Sequence, residues 1–500
     1  MTEPTGTPAA PVTRKRLFVA MALVGLAVTA WCVPGAWSRA TYGARVTADE
    51  PQYLLSAISI GEDLSLDISD ERLDGRYRDF HEVLLPIQEE RADDGSRISP
   101  HDPLLPAALA VPVLVGGWLG AKVLLAVLGG LLAAAILWVA VRRFAVPLHV
   151  AVLTVIAFGL AAPFAVYSTQ VYPELPAALL VTIAIGALTG PLRTRGLVTL
   201  AAMLVALPWL SVKYAPVVVA LGAIALWKLW KRDRSVVLGL GVALAVGAVV
   251  FLALHQLWYG GFTPYAAGSH FAGGELTVTG NDPDYLSRGV RVLGLLVDRG
   301  FGLAVWQPAF LLAVPAIAAL VVRRPRGWAT LTIPLAVGWL NATFVALTMH
   351  GWWWPGRQVV VVLPCAVLAV AWWAARYRPA QILVAIGGVV GAITFAWLTV
   401  EVLTGNLTLI VDFERTTNPI VRGLRELLPD GRLVPGGTDL LRVGWAIALA
   451  ALAAWGVRTA RRRPRQLVDG TNTVLPMPTP PEAASSDPRT RTPEKEKTLV

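Results

Sequence analysis

Three observations predict an all-α polytopic membrane protein. Of the 500 residues, 55% are hydrophobic and only 15% are charged, where a soluble domain carries about 25% charged residues. Apolar runs such as 17–37 and 125–141 approach or exceed the ~20 residues that cross a hydrocarbon core. Short basic clusters separate the runs. The formal charge of +10 is spread over these clusters, so it follows the positive-inside pattern and does not point to nucleic acid.

The clusters are Arg142-Arg143, Arg193 with Arg195, Lys231-Arg232 with Arg234, Arg323-Arg324 with Arg326, Arg376 with Arg378, and Arg461 to Arg463 with Arg465. Placing each on the cytoplasmic side leaves an even number of crossings between successive clusters. About twelve spans satisfy this: 17–37, 121–141, 146–168, 172–190, 196–211, 213–230, 235–258, 301–322, 327–348, 357–375, 380–400 and 441–457. Both termini are then cytoplasmic. The first run follows Arg14, Lys15 and Arg16 and is too long for a cleaved leader, so it reads as a retained signal anchor.

The stretch 102–119 is apolar but carries Pro103, Pro106 and Pro112 and ends beside Gly116-Gly117. A full crossing there would put Arg142-Arg143 on the wrong side. It is therefore expected to be a re-entrant or interfacial segment, with its broken backbone covered by protein.

The expected organisation is a cytoplasmic tail at 1–16, a transmembrane domain at 17–457 and a disordered cytoplasmic tail at 458–500, rich in Pro, Thr and charge. Long outer loops fall at 38–101, 259–300 and 401–440. Because long connections carry function, the working face is expected outside. Cys32 and Cys365 both lie in apolar spans, which argues against a disulfide framework or a thiolate metal site.

Chemistry is sought at that face. Just beyond the first run, TADEPQYLLSAISIGEDLSLDI (47–68) places Asp49 and Glu50 before apolar residues at helical spacing, including Tyr53, Leu54, Ala57 and Ile58. This predicts a helix along the membrane surface with Pro51 in its first turn. Asp49 is either its N-cap or a chemical group. His101 and Asp102 stand at the end of the same loop and, with Asp49, suit either a proton relay or a metal site. The spacing matches no recognisable ligand motif, so no metal residues are assigned. Whether a divalent cation takes part is left open.

Lys213, Arg288, Arg291, Arg299 and Arg357 are basic residues on the outer side. They fit an anionic ligand, since guanidinium groups pair bidentately with phosphate, or snorkelling to lipid headgroups. Glu174, at another outer turn, is a supporting acid or a solvated one. Trp352, Trp353, Trp354, Trp258 and Tyr259 read first as an interfacial aromatic belt. The spans hold almost no ionisable residues at mid-depth, whereas ion-coupled transporters place acids or broken helices there.

The order of these features resembles the GT-C superfamily of membrane glycosyltransferases. It comprises a first span, an outer loop beginning Asp-Glu-x-x-Tyr (Asp49, Glu50, Tyr53), Gly-x-Asp (Gly61, Asp63), Ser-x-His-x-Pro (Ser99, His101, Pro103) and Tyr-Pro-Glu (Tyr172, Pro173, Glu174). Within that superfamily it is most similar to the protein O-mannosyltransferase and lipid A aminoarabinose transferase branch. DRGFGLAVWQP (298–308) and WWPGRQVVVVLP (353–364) are similar to segments that recur in bacterial members. The similarity covers about residues 15–400.

It implies a GT-C-type helical bundle and a polyprenyl-phosphate sugar donor held with its head group outside the plasma membrane. The implied catalytic residues are Asp49, as base, with Glu50 beside it. Arg357, Lys213 and Arg299 would bind the donor phosphate, with Tyr53, His101, Asp102 and Glu174 in support. The acceptor is a glycan, lipid or protein. The chain departs from the pattern in lacking a sizeable soluble C-terminal domain, which puts a polymer- or protein-binding module in doubt. The rival readings are a lipid-linked sugar flippase or transporter and a catalytically silent scaffold of the same fold.

Overall fold

A computed structural model describes residues 12–231, 233–272, 283–431 and 439–462. The predicted tail beyond Arg462 and the first eleven residues lie outside these. Helices and turns make up the fold, and the only β pairing among the described residues is a few isolated bridges.

In chain order the principal helices are α1 (Arg14–Cys32), α2 (Glu50–Asp63), α3 (Ser69–Leu73), α4 (Leu104–Arg143), α5 (Leu148–Gly159), α6 (Glu174–Leu188), α7 (Thr194–Leu210) and α8 (Ala215–Trp230). They continue with α9 (Arg234–Tyr259), α10 (Arg291–Val297), α11 (Ala313–Arg323), α12 (Ala329–Leu340), α13 (Leu363–Ala374), α14 (Arg378–Leu403), α15 (Pro419–Leu427) and α16 (Asp439–Arg461).

Among the described residues, seven helical segments have the length and hydropathy of a membrane crossing, and they coincide with seven of the predicted spans. The other five predicted spans are apolar helices of 10–17 residues, shorter than the ~20 that a full crossing takes. The lateral faces agree with lipid contact. Leu23 and Leu26 on α1, Leu238, Val242 and Val249 on α9, and Ile386, Val389 and Val400 on α14 are exposed, giving apolar surfaces too extensive for a water-exposed monomer. By contrast every residue of α13 is buried, so this helix forms the middle of the bundle.

With little hydrophobic drive between helices in lipid, close backbone approach matters more. A side chain at Gly130 of α4 would meet Thr29 at 2.2 Å and the Gly25 carbonyl at 2.4 Å, both on α1. A side chain at Gly388 of α14 would likewise meet Ala157 of α5 at 2.5 Å.

The proline-rich stretch resolves into the first part of α4. At 40 residues the helix would run ~60 Å if straight, about twice the hydrocarbon thickness. It is not straight: Gly117 adopts φ 58°, ψ −152°, a conformation open essentially to glycine alone. The turn is sharp enough that a side chain at Gly120 would lie 2.1 Å from the Pro112 carbonyl. Residues 104–116 thus form a separate arm before the long apolar segment, and α2 packs against α4.

The surface helix expected after Asp49 is α2, with Pro51 in its first turn. Its surroundings differ from the expectation: every residue from Glu50 to Ser59 is buried. The remainder of the 38–101 segment folds over it, held by buried Glu89, which receives Gln52 Nε2 at 2.9 Å and Arg72 Nε at 2.9 Å.

Charge separates the two ends of the bundle. Arg143 at the end of α4 donates to the Gly186 carbonyl of α6, Lys228 of α8 to Leu188 of α6, and Arg323 of α11 to Arg462. These basic turns gather at one end. The acidic starts of α2 and α6 and the turn between α7 and α8 meet at the other.

Candidate active site

Four charged side chains converge where α2, α6, the α7–α8 turn and the approach to α13 meet. Each has a local reason for its place. Asp49 immediately precedes α2, and its carbonyl accepts from the Gln52 and Tyr53 amides. Its side chain makes no capping hydrogen bond, so the cap reading does not account for the carboxylate. Glu174 opens α6 behind Pro173, where the helix dipole favours an anion.

Lys213 lies in the tight turn after α7. That turn is pinned by the Val212 amide donating to Asp102 at 3.1 Å and by Asn341 Nδ2 donating to the Lys213 carbonyl. Arg357 follows Gly356, whose φ of 86° suits a residue without a side chain. A Cβ there would also come within 2.7 Å of Leu303.

Arg357 is the centre of the group. Its Nη2 donates to Asp49 at 2.6 Å and its Nε to Glu174 at 2.8 Å. Lys213 Nζ donates to the same Glu174 oxygen at 2.6 Å. The guanidinium sits 4.1 Å from the centre of the Tyr172 ring and 5.0 Å from that of Trp353, which adds cation–π attraction. Two anions and two cations make the quartet formally neutral.

Burial pushes the Asp49 carboxyl upward. The charge and hydrogen bond of the Arg357 guanidinium, together with the Lys213 charge, outweigh this and hold Asp49 at about 2. Glu174 is fully buried, and its second oxygen has no hydrogen-bond partner.

A cavity of ≈ 290 Å³ opens beside the group, walled by Asp49, Tyr53, His101, Asp102, Lys213 and Arg357 among others. It is close to the smallest ligand pockets, which start near ~300 Å³. His101 stacks on Tyr53 with ring centres 4.7 Å apart, and its Nε2 has no hydrogen-bond partner. Burial pushes the imidazole pKa down, with Asp49 opposing, which favours the neutral ring.

Several expected residues are placed differently. Glu50 does not line the cavity. Its carboxylate is buried and accepts from the Thr47 amide at 3.0 Å and the Val171 amide at 2.6 Å, tying the start of α2 to the chain before α6. Burial pushes that carboxyl up. Asp102 touches the cavity, but its oxygens accept from Val212 and pair with His255 Nε2 at 3.1 Å. Asp49, His101 and Asp102 do not form a set close enough to share one metal ion.

Arg299 lies apart from the cavity. Its amide donates to Pro429, and its side chain pairs loosely with exposed Glu426 at 3.5 Å. The three tryptophans divide: Trp352 is exposed as a belt residue would be, Trp353 faces Arg357, and Trp354 is buried against Trp306 and Phe413. Cys32 and Cys365 are free and buried.

Sequence reading missed Tyr172 as a platform for Arg357 and His255 as the partner of Asp102. Tyr172 stands within the Tyr-Pro-Glu turn already singled out, two residues before Glu174, and that adjacency was the available signal.

No family model matches the chain. No curated protein matches it either. Among solved structures it is similar to ArnT from Cupriavidus metallidurans in the apo state, with a TM-score of 0.50 at 15% identity, covering 88% of this chain and 77% of that one. ArnT from the same organism bound to undecaprenyl phosphate aligns with a TM-score of 0.48 at 14% identity, over 89% of this chain and 78% of that one. The GT-C-type helical bundle implied by the sequence resemblance is the fold of this chain.

Proposed function

We propose that the chain is an integral membrane glycosyltransferase. It moves a sugar from a polyprenyl-phosphate-linked donor to an acceptor on the outer face of the plasma membrane, with both termini cytoplasmic. The observation that carries this reading is the convergence of Asp49, Glu174, Lys213 and Arg357 beside a cavity.

Transfer breaks the bond between the anomeric carbon and a phosphate oxygen and forms one to the acceptor oxygen. The acceptor hydroxyl loses a proton, and the phosphate, already a good leaving group, gains a negative charge. The chemistry therefore needs one base and a cationic clamp, unlike glycoside hydrolysis with its two carboxylates. In this reading Asp49 takes the proton, while Arg357 and Lys213 neutralise the departing phosphate. A single displacement inverts the anomeric configuration.

Asp49 and Arg357 have to part for this to work. A carboxylate held at about 2 accepts protons poorly, and a donor phosphate competes with Asp49 and Glu174 for the same guanidinium. Donor binding thus weakens the hold on Asp49 and raises its basicity where the acceptor arrives. Neutral His101 offers its unpartnered Nε2 to a hydroxyl of donor or acceptor. Glu50 and Asp102 hold backbone in place, and Arg299 has no part in the reaction.

The same ion pair favours a second reading, donor binding without turnover. A panel of polyprenyl-phosphate sugars presented to purified protein with membrane extract separates the alternatives. Release of free polyprenyl phosphate together with a glycosylated product supports the transferase and identifies the donor. Binding without release supports the scaffold reading, and donor movement across vesicles without bond cleavage supports a flippase.

A further inference from the structure

A second cluster of carboxylates lies at the far end of α2, about 20 Å from Asp49 at 1.5 Å per residue. Ligand oxygens of Asp63, Asp70 and Glu71 all lie within 4.8 Å of one another. Asp63 is the last residue of α2, where the negative end of the helix dipole disfavours an anion, and Asp70 and Glu71 belong to the following α3.

The cations nearby are engaged. Arg76 holds Glu62 through two bonds, of 2.8 and 2.6 Å, and Arg72 pairs with Glu89 at 2.9 Å. Among the described residues no salt bridge reaches any of these three carboxyl groups.

Glu71 supplies the second, independent observation. It is 2% exposed, and neither carboxylate oxygen has a hydrogen-bond partner. The Ser59 hydroxyl beside it gives its proton to the Ser65 and Asp67 carbonyls, and the Asp70 carboxyl approaches it. A buried carboxylate in this position takes up either a proton or a cation.

We infer that Asp63, Asp70 and Glu71 bind a hard divalent cation, with Ca²⁺ as the preferred ion. The donors are all oxygen, which suits Ca²⁺ or Mg²⁺ over zinc. The irregular junction of a helix end and a short helix suits the flexible shell of Ca²⁺ better than the strict octahedron of Mg²⁺. The bound ion would clip α3 to the end of the helix whose other end presents Asp49, and it would take no part in the reaction. The site stands whether or not the transferase reading holds.

The test uses the full chain, purified in detergent and stripped with chelator, with thermal unfolding followed as CaCl₂ is added. The expected result is a saturable rise in Tm with half-saturation at ~10⁻⁴–10⁻³ M, the range of extracellular calcium modules, and a smaller rise with MgCl₂. Asp63→Asn and Asp70→Asn change exposed positions and should fold; each should weaken half-saturation by ~10-fold or more through lost ligand charge. Glu71→Gln should abolish the rise. No rise in wild type up to ~10 mM Ca²⁺, well above that range, overturns the site. So does a rise that persists unchanged in the Asp63→Asn, Asp70→Asn double variant.

Discussion

Two groups of basic residues look alike in the sequence and behave differently in the fold. Lys213 and Arg357 meet Asp49 and Glu174 at a cavity. Arg288 and Arg291 instead hold carbonyls: Arg288 donates to Phe344 at 2.7 Å, and Arg291 to Ala346 at 2.7 Å and Leu347 at 3.2 Å. Both pairs border a cavity, but the first sets its charge against buried carboxylates. The second uses charge to finish the irregular end of α12, where the chain leaves regular helix and its carbonyls lack internal partners. A cation at the end of a membrane helix is thus informative only once its partners are known. Carboxylate partners mark a different use from carbonyl partners in a turn.

The comparison is tested most strongly by removing the proposed base. Asp49→Asn keeps the shape of the side chain and should lower turnover by ~10²–10⁴-fold, the usual contribution of a general base, with donor binding retained. Equal turnover in the variant would return Asp49 to a structural role.

Removing the central cation should act on stability. Arg357→Ala leaves Asp49 without its partner and Glu174 with Lys213 alone, and should cost ~3–5 kcal/mol of folding stability. Arg357→Lys keeps the charge but loses the fork that spans Asp49 and Glu174, so its loss should be smaller. Arg291→Ala, from the other group, should cost about 1–3 kcal/mol through its carbonyl bonds and leave turnover per folded molecule unchanged. Denaturant titration of the three variants in detergent checks the order.

The pH response should also differ between groups at the cavity. Asp49 is depressed to about 2, so its stabilising contribution is present above its unfolded value of ~3.9 and disappears only as pH falls through about 2. His101 is lowered chiefly by burial. Its contribution is present above the unfolded value of ~6.5 and is lost as pH falls below it, because the unfolded chain then binds the proton more readily. Between pH 7 and 5 stability should therefore decline in wild type and decline less in His101→Gln. Identical slopes would place the buried proton-binding group elsewhere.

The smallest effect belongs to Arg299. Its Glu426 partner is 78% exposed and 3.5 Å away, so Arg299→Ala should change stability by less than ~1 kcal/mol and leave donor turnover intact. A turnover loss like that of Arg357→Lys would restore Arg299 to the phosphate clamp.

The fold was legible because its physics is one-dimensional: apolar length and basic punctuation locate helices segment by segment. The kink at Gly117 was foreshadowed by the Gly116-Gly117 pair after three prolines, although its sharp angle needed coordinates. At the site, the Asp-Glu and Tyr-Pro-Glu signals and the outer basic residues Lys213 and Arg357 supplied the residues that converge. What they could not supply was direction. Asp49 and Glu50 are adjacent, yet α2 aims the first toward Arg357 and the second toward backbone amides. His101 and Asp102 divide in the same way between the cavity and His255. Arg299 resembled Arg357 because pairing with Glu426 depends on a return of the chain more than a hundred residues later, which no local pattern records.

The central claim is that the four-residue charge cluster is a reaction centre and not only a buried ion network. It is tested most directly by a single-turnover experiment with donor already bound, comparing wild type with Asp49→Asn. Bond cleavage and sugar transfer in wild type, with bound but uncleaved donor in Asp49→Asn, is the predicted result. Equal cleavage in both proteins, or bound donor left intact by both, would contradict it.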